Sequence, residues 1–342
     1  MPVEKAIFDK KNILVVGGAG FIGSHLCDEL VKSDKVICID NFLTGREDNV
    51  AHLLQHPDFE FLNFDISNPL NLEQLPELKK FKFEFQGVQE VYYLASPSSP
   101  ADYQNYPIET LLANSVGLRN ALDIAVKYKA KFFFASSPAV YGQAPNSKPV
   151  KEDFCGVVNQ LSSRAIFAES KRFAETMVFA YAAKFGLDVK LARIFNCYGS
   201  RMRLDDGRMI PEMIRLALGN EDIVIYGTEK STGSYFYVSD LIRGIVKLME
   251  STEKGPINLS SDWKNKFSDV AKKIVDEYGS TSKIRFEAPK DIFADQLIGD
   301  ISAAKEKLGW FPVILLDQGI KETIDYLEAQ RGIKMFQQKP AQ

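Results

Sequence analysis

The chain has 342 residues, 45% of them hydrophobic, and a formal net charge of -3. This length allows a large buried core and predicts two domains, or one domain with a substantial second lobe. The charge offers no basic footprint for nucleic acid, no stretch of sequence is apolar enough to span a membrane, and the first residues lack a signal-peptide core, so we expect a cytoplasmic protein.

The first marked segment is a hydrophobic strand that continues into a helix through three glycines, Gly17, Gly20 and Gly23. Such glycines permit a tight turn, a close approach of the backbone to a phosphate, and close packing of the helix. The helix N-terminus adds free N–H groups and a partial positive charge. The next strand ends at Asp40, near the spacing at which a carboxylate meets the ribose hydroxyls of NAD. The sequence therefore predicts NAD, and Arg46 leaves NADP as the alternative.

Short apolar runs, rich in β-branched and aromatic residues, alternate with helical stretches. They predict strands at residues 12–16, 35–39, 59–63, 89–94, 131–135 and 188–193. This alternation is typical of an α/β fold with a doubly wound parallel sheet. We predict a Rossmann domain over residues 1–195, joined by about 237–262. Because the alternation weakens later, residues 196–236 and 263–342 are predicted to form a smaller substrate-binding lobe.

Three local predictions accompany this organisation. Helical periodicity predicts a helix from Arg164 to Phe185. A second helix is predicted to open at Pro211 and to stop at Gly219. The segment Lys79–Phe85 alternates charges with phenylalanines, which predicts an extended stretch with one aromatic face packed on the body, or else facing a partner.

The cysteines and histidines follow no paired or ligand-like spacing, so no metal site is predicted. The residues concerned are Cys27, Cys38, Cys155, Cys197, His25, His52 and His56.

Ordered motifs along nearly the whole chain resemble the extended short-chain dehydrogenase/reductase family, particularly its nucleotide-sugar epimerases, dehydratases and UDP-glucuronate decarboxylases. The glycine segment and Asp40-Asn41-Phe42 resemble the family's cofactor turn and ribose clamp, and Phe64-Asp65-Ile66 resembles its adenine contact. Residues 93–100 are similar to the decarboxylase loop beside the nicotinamide. The active-site strand end, the nucleotide-sugar loop and the substrate lobe are matched by residues 134–142, 192–202, Asp206-Gly207-Arg208 and 237–241.

The resemblance implies NAD as the cofactor, with binding residues at the strand ends and in the loops that follow. These are Gly17, Gly20, Phe21, Ile22, Gly23, Asp40, Asn41, Phe42, Gly45, Asp65, Ile66, Leu94, Ala95, Ser96, Asn114, Ser136 and Lys171. It also implies a nucleotide-sugar substrate, with a UDP-sugar as the first candidate. The residues implied to bind it are Pro97, Ser98, Asn105, Ser137, Asn196, Arg201, Arg208 and Tyr237.

The chemistry implied by the resemblance is oxidation of a sugar hydroxyl to a transient keto-sugar. A tyrosinate takes the hydroxyl proton while NAD takes the hydride, and a lysine one helical turn later favours the phenolate. Here Ser137 and Lys171 are the implied catalytic residues, but Phe167 stands where the tyrosine is expected. Removal of a positioned general base typically costs about 10²- to 10⁴-fold in rate.

Further departures concern the substrate side. Ala139 stands where dehydratases and decarboxylases of the family carry Glu, while some epimerases have a small residue there. Gly233 and Leu297 stand where decarboxylases usually have arginines, which are strong phosphate donors. Residues 68–87 look longer than in the decarboxylases, and a short helix is expected within them.

Two functions follow from these residues. The first is NAD-dependent modification of a nucleotide-sugar through a 4-keto intermediate, either decarboxylase-like or 4-epimerase-like, with Tyr141 or Tyr198 as a substitute acid/base. The alternative is a catalytically impaired homologue that binds NAD and a nucleotide-sugar; an engineered variant made to trap substrate is a third possibility.

A homodimer is also expected from the resemblance, because family members pair the helix of Lys171 and the helix near Asn114 with their copies in a four-helix bundle. The apolar stripe of Phe173, Met177 and Tyr181 suits that packing, and an intramolecular core contact is the alternative.

Overall fold

The computed structural model describes residues 9–143, 148–205, 207–288 and 297–337. Asp206 and the first eight residues, on which the sequence analysis drew, lie outside the described residues. In the described part, no helix combines the length and apolarity needed to cross a membrane.

A seven-stranded sheet organises the fold, and every pair of neighbouring strands in it is parallel. Its strands are β1 (Asn12–Val16), β2 (Lys35–Asp40), β3 (Phe59–Asn63), β4 (Glu90–Tyr93), β5 (Lys131–Ser136), β6 (Val189–Ile194) and β11 (Ile257–Leu259). The strand order is β11-β6-β5-β4-β1-β2-β3. This order reverses direction between β1 and β4, which is where parallel α/β sheets open a crevice for ligands. The predicted doubly wound α/β sheet is confirmed.

Alternate residues of the central strands face two separate cores. Ile13 and Val15 of β1 pack on one face with the helices Phe21–Leu30 and Val238–Glu250, whereas Leu14 and Val16 pack on the other face with the helices Leu118–Tyr128 and Ala165–Phe185. Because the strands are buried on both faces, they form the continuous hydrophobic runs seen in the sequence.

Eleven α-helices surround the strands in the described part of the chain. They are α1 (Phe21–Leu30), α2 (Phe83–Gln86), α3 (Pro100–Asn105), α4 (Pro107–Leu112), α5 (Leu118–Tyr128), α6 (Ala165–Phe185), α7 (Met209–Leu218), α8 (Val238–Glu250), α9 (Phe267–Tyr278), α10 (Ser302–Leu308) and α11 (Leu316–Gln337). A π-helical turn, Ala113–Gly117, joins α4 to α5.

Short strand pairs lie beyond β6. The parallel pairs are β7 (Cys197–Tyr198) with β10 (Phe236–Tyr237), and β8 (Ile223–Tyr226) with β13 (Ile284–Glu287). The antiparallel pair is β9 (Thr232–Gly233) with β12 (Asn265–Lys266). The boundaries of a separate substrate lobe stay a prediction.

The extended aromatic stretch predicted for Lys79–Phe85 is wrong. A 3₁₀ helix, Pro76–Phe81, and the short helix α2 meet at Lys82, which has a φ of 53°. Because of this left-handed residue, Phe81 and Phe83 are both buried while Phe85 is 79% exposed. The rings therefore do not share one face.

Helix ends also differ slightly from the expectations. Helix α7 begins at Met209, so Pro211 lies inside its first turn, where the missing N–H breaks no helical bond. Helix α6 begins at Ala165 and ends at Phe185, close to the predicted range. The expected helix within the 68–87 segment is a pair of 3₁₀ turns, Leu72–Gln74 and Pro76–Phe81, followed by α2.

Candidate active site

The carboxyl ends of the parallel strands open into a cavity of about 1760 Å³. It extends from the glycine segment after β1, past the loop after β4 and the end of β5, to residues of α7 and β8. Such a crevice at the reversal of strand order is the expected position of a dinucleotide and its reaction partner.

The glycine segment shapes one end of this cavity through its backbone. Gly17 has a φ of 84°, and a Cβ there would lie 2.6 Å from the backbone nitrogen of Ala95. A Cβ on Gly23 would lie 2.1 Å from the carbonyl oxygen of Gly17. Helix α1 follows Gly20 without a side-chain cap, so its first N–H groups are available to an anion.

Asp40 ends β2 beside this segment. Its carboxylate accepts hydrogen bonds from the N–H groups of Ala19, at 3.0 Å, and Phe42, at 2.8 Å. Burial raises the pKa of Asp40, and these N–H groups oppose the rise. Arg46 lies away from the cavity lining, and its guanidinium is 3.8 Å from Asp205. The structure therefore places the carboxylate, and not Arg46, at the cavity wall.

Most residues expected to bind NAD line the cavity, and two do not. Those in the lining are Gly17, Gly20, Phe21, Ile22, Gly23, Asp40, Asn41, Gly45, Asp65, Ile66, Leu94, Ala95, Ser96, Ser136 and Lys171. Phe42 instead stacks on Phe61, with ring centroids 5.0 Å apart. Asn114 lies behind the wall, where its Nδ2 donates to Ser96 Oγ at 2.8 Å and to the Thr110 carbonyl at 2.9 Å.

These features fit NAD. The glycines leave the space that side chains would fill, the start of α1 offers donors to a pyrophosphate, and Asp40 offers an acceptor to ribose hydroxyls. Within the described chain, the buried Oδ1 of Asn114 also has no hydrogen-bond partner. A buried amide oxygen of this kind is suited to a further donor.

Lys171 on α6 reaches the cavity at the end of β5. Its Nζ donates to the carbonyl of Ala135 at 2.9 Å and lies 4.8 Å from the Phe134 ring centroid. Burial lowers the pKa of Lys171 to about 7, and the charge of Glu175 opposes this. The amine is therefore divided between its two protonation states near neutral pH.

A buried charge network lies behind Lys171. The guanidinium of Arg193, on β6, forms two hydrogen bonds to the carboxylate of Glu175, at 2.9 and 2.7 Å. Ser136 Oγ donates to the same carboxylate at 2.5 Å, and Arg193 lies over the ring of Tyr141, 4.6 Å from its centroid. The network fixes the carboxylate one helical turn from Lys171.

Ser137 follows β5 and lines the cavity beside Ala139. Its Oγ accepts a hydrogen bond from the N–H of Ala139 at 3.2 Å and so caps the 3₁₀ turn Pro138–Tyr141. This bond uses a lone pair of Oγ, so Ser137 can still donate its O–H to a bound hydroxyl.

Phe167 also lines the cavity, so the position expected for the tyrosine faces the site. The ring packs flat against that of Tyr103 on α3, with centroids 5.5 Å apart and an interplanar angle of 10°. Lys171 Nζ lies 5.8 Å from the Phe167 ring centroid. Phe167 thus retains the position of the phenol without its hydroxyl.

The two tyrosines considered from sequence as substitutes both donate their hydroxyls to other groups of the protein. Tyr141 is fully buried outside the cavity lining, and its hydroxyl donates to Asn258 Oδ1 at 2.6 Å. Tyr198 borders the cavity, but its hydroxyl donates to the carbonyl of Leu316 at 3.2 Å. Burial raises the pKa of Tyr141 to about 12 and that of Tyr198 still further.

The sequence profile of the NAD dependent epimerase/dehydratase family matches residues 13–260. The chain belongs to this family. NAD is therefore the cofactor that the glycine segment and Asp40 accommodate.

Relatives in the family align with most of this chain. UDP-glucuronic acid decarboxylase 1 of Danio rerio is 40% identical over 323 residues, which cover 94% of this chain and 74% of that protein. The Arabidopsis thaliana protein with the same name is 38% identical over 313 residues, 91% of this chain and 68% of that protein.

Solved structures agree with the fold over nearly its whole length. UDP-glucuronic acid 4-epimerase from Bacillus cereus, in complex with NAD, has a TM-score of 0.77 at 28% identity and covers 93% of this chain and 99% of its own. UDP-glucose 4-epimerase from Thermotoga maritima, with UDP-glucose, has a TM-score of 0.81 at 26% identity, with coverages of 94% and 99%.

On the substrate side of this family member, six of the eight expected residues line the cavity. They are Pro97, Ser98, Ser137, Asn196, Arg201 and Arg208. Asn105 is instead exposed at the end of α3, and Tyr237 packs edge-on against Tyr198 away from the lining. Arg208 donates to Ser98 Oγ at 2.9 Å, which joins the two loops that face the substrate space.

Sequence reasoning missed several groups that the fold brings to the site. Tyr103, Arg164 and Arg203 all line the cavity, and Arg203 is paired with Asp102 at 2.9 Å. A signal for Tyr103 was present, because Ser99 followed by Pro100 is a helix start that places Tyr103 on the first turn. Nothing in the local sequence indicates that Tyr103 would contact Phe167, which lies 64 positions later in the chain.

Proposed function

We propose that the chain is an enzyme that uses NAD to modify a UDP-hexuronate, with UDP-glucuronate as its first substrate, through a 4-keto-sugar. The supporting observation is a single cavity that joins a dinucleotide cradle to a rim carrying Arg201, Arg203 and Arg208. Both decarboxylase and 4-epimerase names among its relatives refer to UDP-glucuronic acid. Relatives named as enzymes support turnover over mere binding.

The residues of the chain divide the work. Arg201 and Arg208 provide positive charge for a diphosphate, and Ser137 donates to the sugar hydroxyl that reacts. Lys171 stabilises a developing negative charge at the end of β5 and binds ribose hydroxyls. When bound, NAD supplies the oxidant that accepts a hydride from the sugar and later returns it.

Two outcomes are compatible with the same ketone. A 4-keto group makes the neighbouring carboxylate easy to lose, whereas return of the hydride to the opposite face inverts the centre. The decarboxylase names of relatives at 35–40% identity support the first outcome. Ala139, at the place of a family Glu, supports the second.

The function is tested with purified protein, NAD and a panel of UDP-, GDP-, CDP- and dTDP-sugars. We expect UDP-glucuronate to be consumed, and product mass then separates the outcomes, because decarboxylation removes CO₂ while epimerisation leaves the mass unchanged. Calorimetry with the same sugars is the control. Binding without any turnover identifies the impaired homologue, and the absence of both rejects the proposed substrate class.

We also infer a homodimer formed through α4 and α6. Apolar side chains are exposed on these neighbouring helices: Ile108, Leu111, Leu112, Phe173 and Phe185. Met177 and Tyr181 of the predicted stripe instead pack partly against the core, so Phe173 carries the inference. Phe173→Glu is expected to yield monomers in sedimentation, whereas Phe85→Glu, at an exposed ring on α2 outside the two helices, should leave the mass unchanged. The cytoplasmic location stays a prediction.

A further inference from the structure

The proposed oxidation needs a group that exchanges a proton with the sugar hydroxyl, and Phe167 has none to offer. The ring in contact with Phe167 does carry one. Tyr103 stacks on Phe167 at a centroid separation of 5.5 Å and lines the same cavity. The phenol that the site lacks on α6 is therefore present on α3, one ring away.

Tyr103 is held firmly in this position. Helix α3 is capped by Ser99, whose Oγ accepts from the N–H of Asp102 at 3.1 Å, and the Tyr103 N–H donates to the Ser99 carbonyl at 3.0 Å. Asp102 pairs with Arg203 at 2.9 Å. With 4% of its surface exposed, Tyr103 has little rotational freedom.

The surroundings of the Tyr103 hydroxyl contain groups that favour its anion. Arg164, at the start of α6, forms a side-chain hydrogen bond with it, and the charge of Arg208 acts in the same direction. Burial has the larger effect and raises the pKa of Tyr103. The positive charge of Arg164 therefore stabilises the phenolate form of Tyr103 and opposes the effect of burial.

We propose that Tyr103 is the acid/base catalyst of this chain, in place of the tyrosine that Phe167 replaces. The sugar O–H bond breaks and its proton passes to the phenolate oxygen of Tyr103, while the hydride on the same carbon passes with both electrons to NAD. The alcohol is thereby oxidised to a ketone, with bound NAD as the two-electron oxidant; in an epimerisation the hydride would return to the opposite face of the carbon and Tyr103 would return the proton to the oxygen. This proposal rests on the proposed function.

The first test compares the wild-type protein with Tyr103→Phe on UDP-glucuronate and NAD. We expect kcat to fall by about 10²-fold or more while KM changes little, because a positioned acid/base contributes about 10²- to 10⁴-fold. Tyr92→Phe is the matched control, since it removes a buried phenol that donates to Glu90 at 3.1 Å outside the cavity lining. Its kcat should stay within a few-fold of wild type.

A second variant separates chemistry from structure. Phe167→Tyr introduced into the Tyr103→Phe background restores a phenol to the same stack, so we expect it to recover most of the lost kcat. A role of Tyr103 in packing alone predicts no such recovery. Tyrosinate absorbance, titrated with and without NAD, provides a readout apart from turnover: Tyr103→Phe should remove one phenol whose titration NAD shifts.

The outcomes keep this proposal distinct from the proposed function. Wild-type turnover that survives Tyr103→Phe overturns the role of Tyr103 and leaves the function intact. An inactive wild type that becomes active as Phe167→Tyr likewise overturns Tyr103 while supporting the substrate class. If the wild type and Phe167→Tyr are both inactive and neither binds the sugar, the proposed function and the role of Tyr103 are both rejected.

Discussion

Two regions of one sheet edge are built on different principles. The cradle, residues 13–26 with Asp40, is shaped mainly by backbone: a Cβ on Gly17, Gly18 or Gly23 would collide with a neighbouring atom, and the start of α1 offers N–H groups. The reaction corner, residues 134–142 and 164–175, is shaped by side chains: a buried amine, a buried carboxylate and a stacked pair of rings.

This difference fits the departures that the resemblance implies, since Phe167 and Ala139 lie in the reaction corner and not in the cradle. The cradle accepts few changes, because a Cβ on Gly17 or Gly23 would collide with main-chain atoms that cannot easily move. In the corner, a residue without a hydroxyl, Phe167, can still pack its ring on Tyr103. We therefore expect that most residues of the cradle and of the corner can be disturbed independently, with Lys171 as the residue common to cofactor binding and chemistry.

The largest effect is expected from breaking the buried pair of the corner. Arg193→Met leaves the carboxylate of Glu175 buried without its two guanidinium bonds, and such losses cost about 3–5 kcal/mol. Urea unfolding measures this loss. Arg215→Met, which breaks a half-exposed pair with Glu212 at 2.9 Å, should cost less than about 1 kcal/mol. Equal losses of unfolding free energy in the two variants would show that the buried pair of Arg193 and Glu175 does not stabilise the corner more than an exposed pair does.

Lys171→Met is expected to have the opposite sign. The folded pKa of about 7 lies below the ordinary 10.5, so holding the amine charged costs roughly 4–5 kcal/mol below pH 7. This penalty shrinks as pH rises through about 7 and vanishes above the unfolded pKa. After subtraction of the lost hydrogen bond to Ala135, the free energy of unfolding of the variant should be about 3 kcal/mol higher than that of the wild type at pH 6. Urea unfolding at pH 6 and pH 9 checks it; a gain that does not decrease at pH 9 would refute the assigned pKa.

In the cradle, Gly23→Ala tests the role of the backbone. Its Cβ would lie 2.1 Å from the Gly17 carbonyl, so the loop must shift at a cost of about 2–3 kcal/mol. We expect NAD affinity, measured by calorimetry, to fall by at least about tenfold. Gly186→Ala is the control, because its φ of 67° gives strain while its Cβ meets nothing within 4 Å. It should leave NAD affinity unchanged.

The same contrast decides what could be predicted from the sequence. The sequence predicts every end of strands β1 to β6 to within one residue, and the glycine spacing locates the cradle, because both depend on local patterns. The pairing of Glu175 with Arg193 and the stack of Phe167 on Tyr103 arise only when separate elements meet. Lys82 shows that a short segment can also be mispredicted. Its left-handed backbone, which the sequence pattern does not reveal, prevents the phenylalanines of Lys79–Phe85 from forming the expected aromatic face.

The smallest effect is expected at Asp40, where charge rather than shape selects the cofactor. Asp40→Asn removes the negative charge that opposes a 2′-phosphate and keeps an acceptor oxygen for one of the two N–H groups, since those of Ala19 and Phe42 bind different oxygens of the carboxylate. The preference for NAD over NADP should decrease by about tenfold, or 1.4 kcal/mol, when both dissociation constants are measured by calorimetry. Asp34→Asn, an acid outside the cavity lining, should leave the ratio unchanged. A constant ratio in Asp40→Asn would mean that the shape of the cradle, rather than the carboxylate, selects NAD.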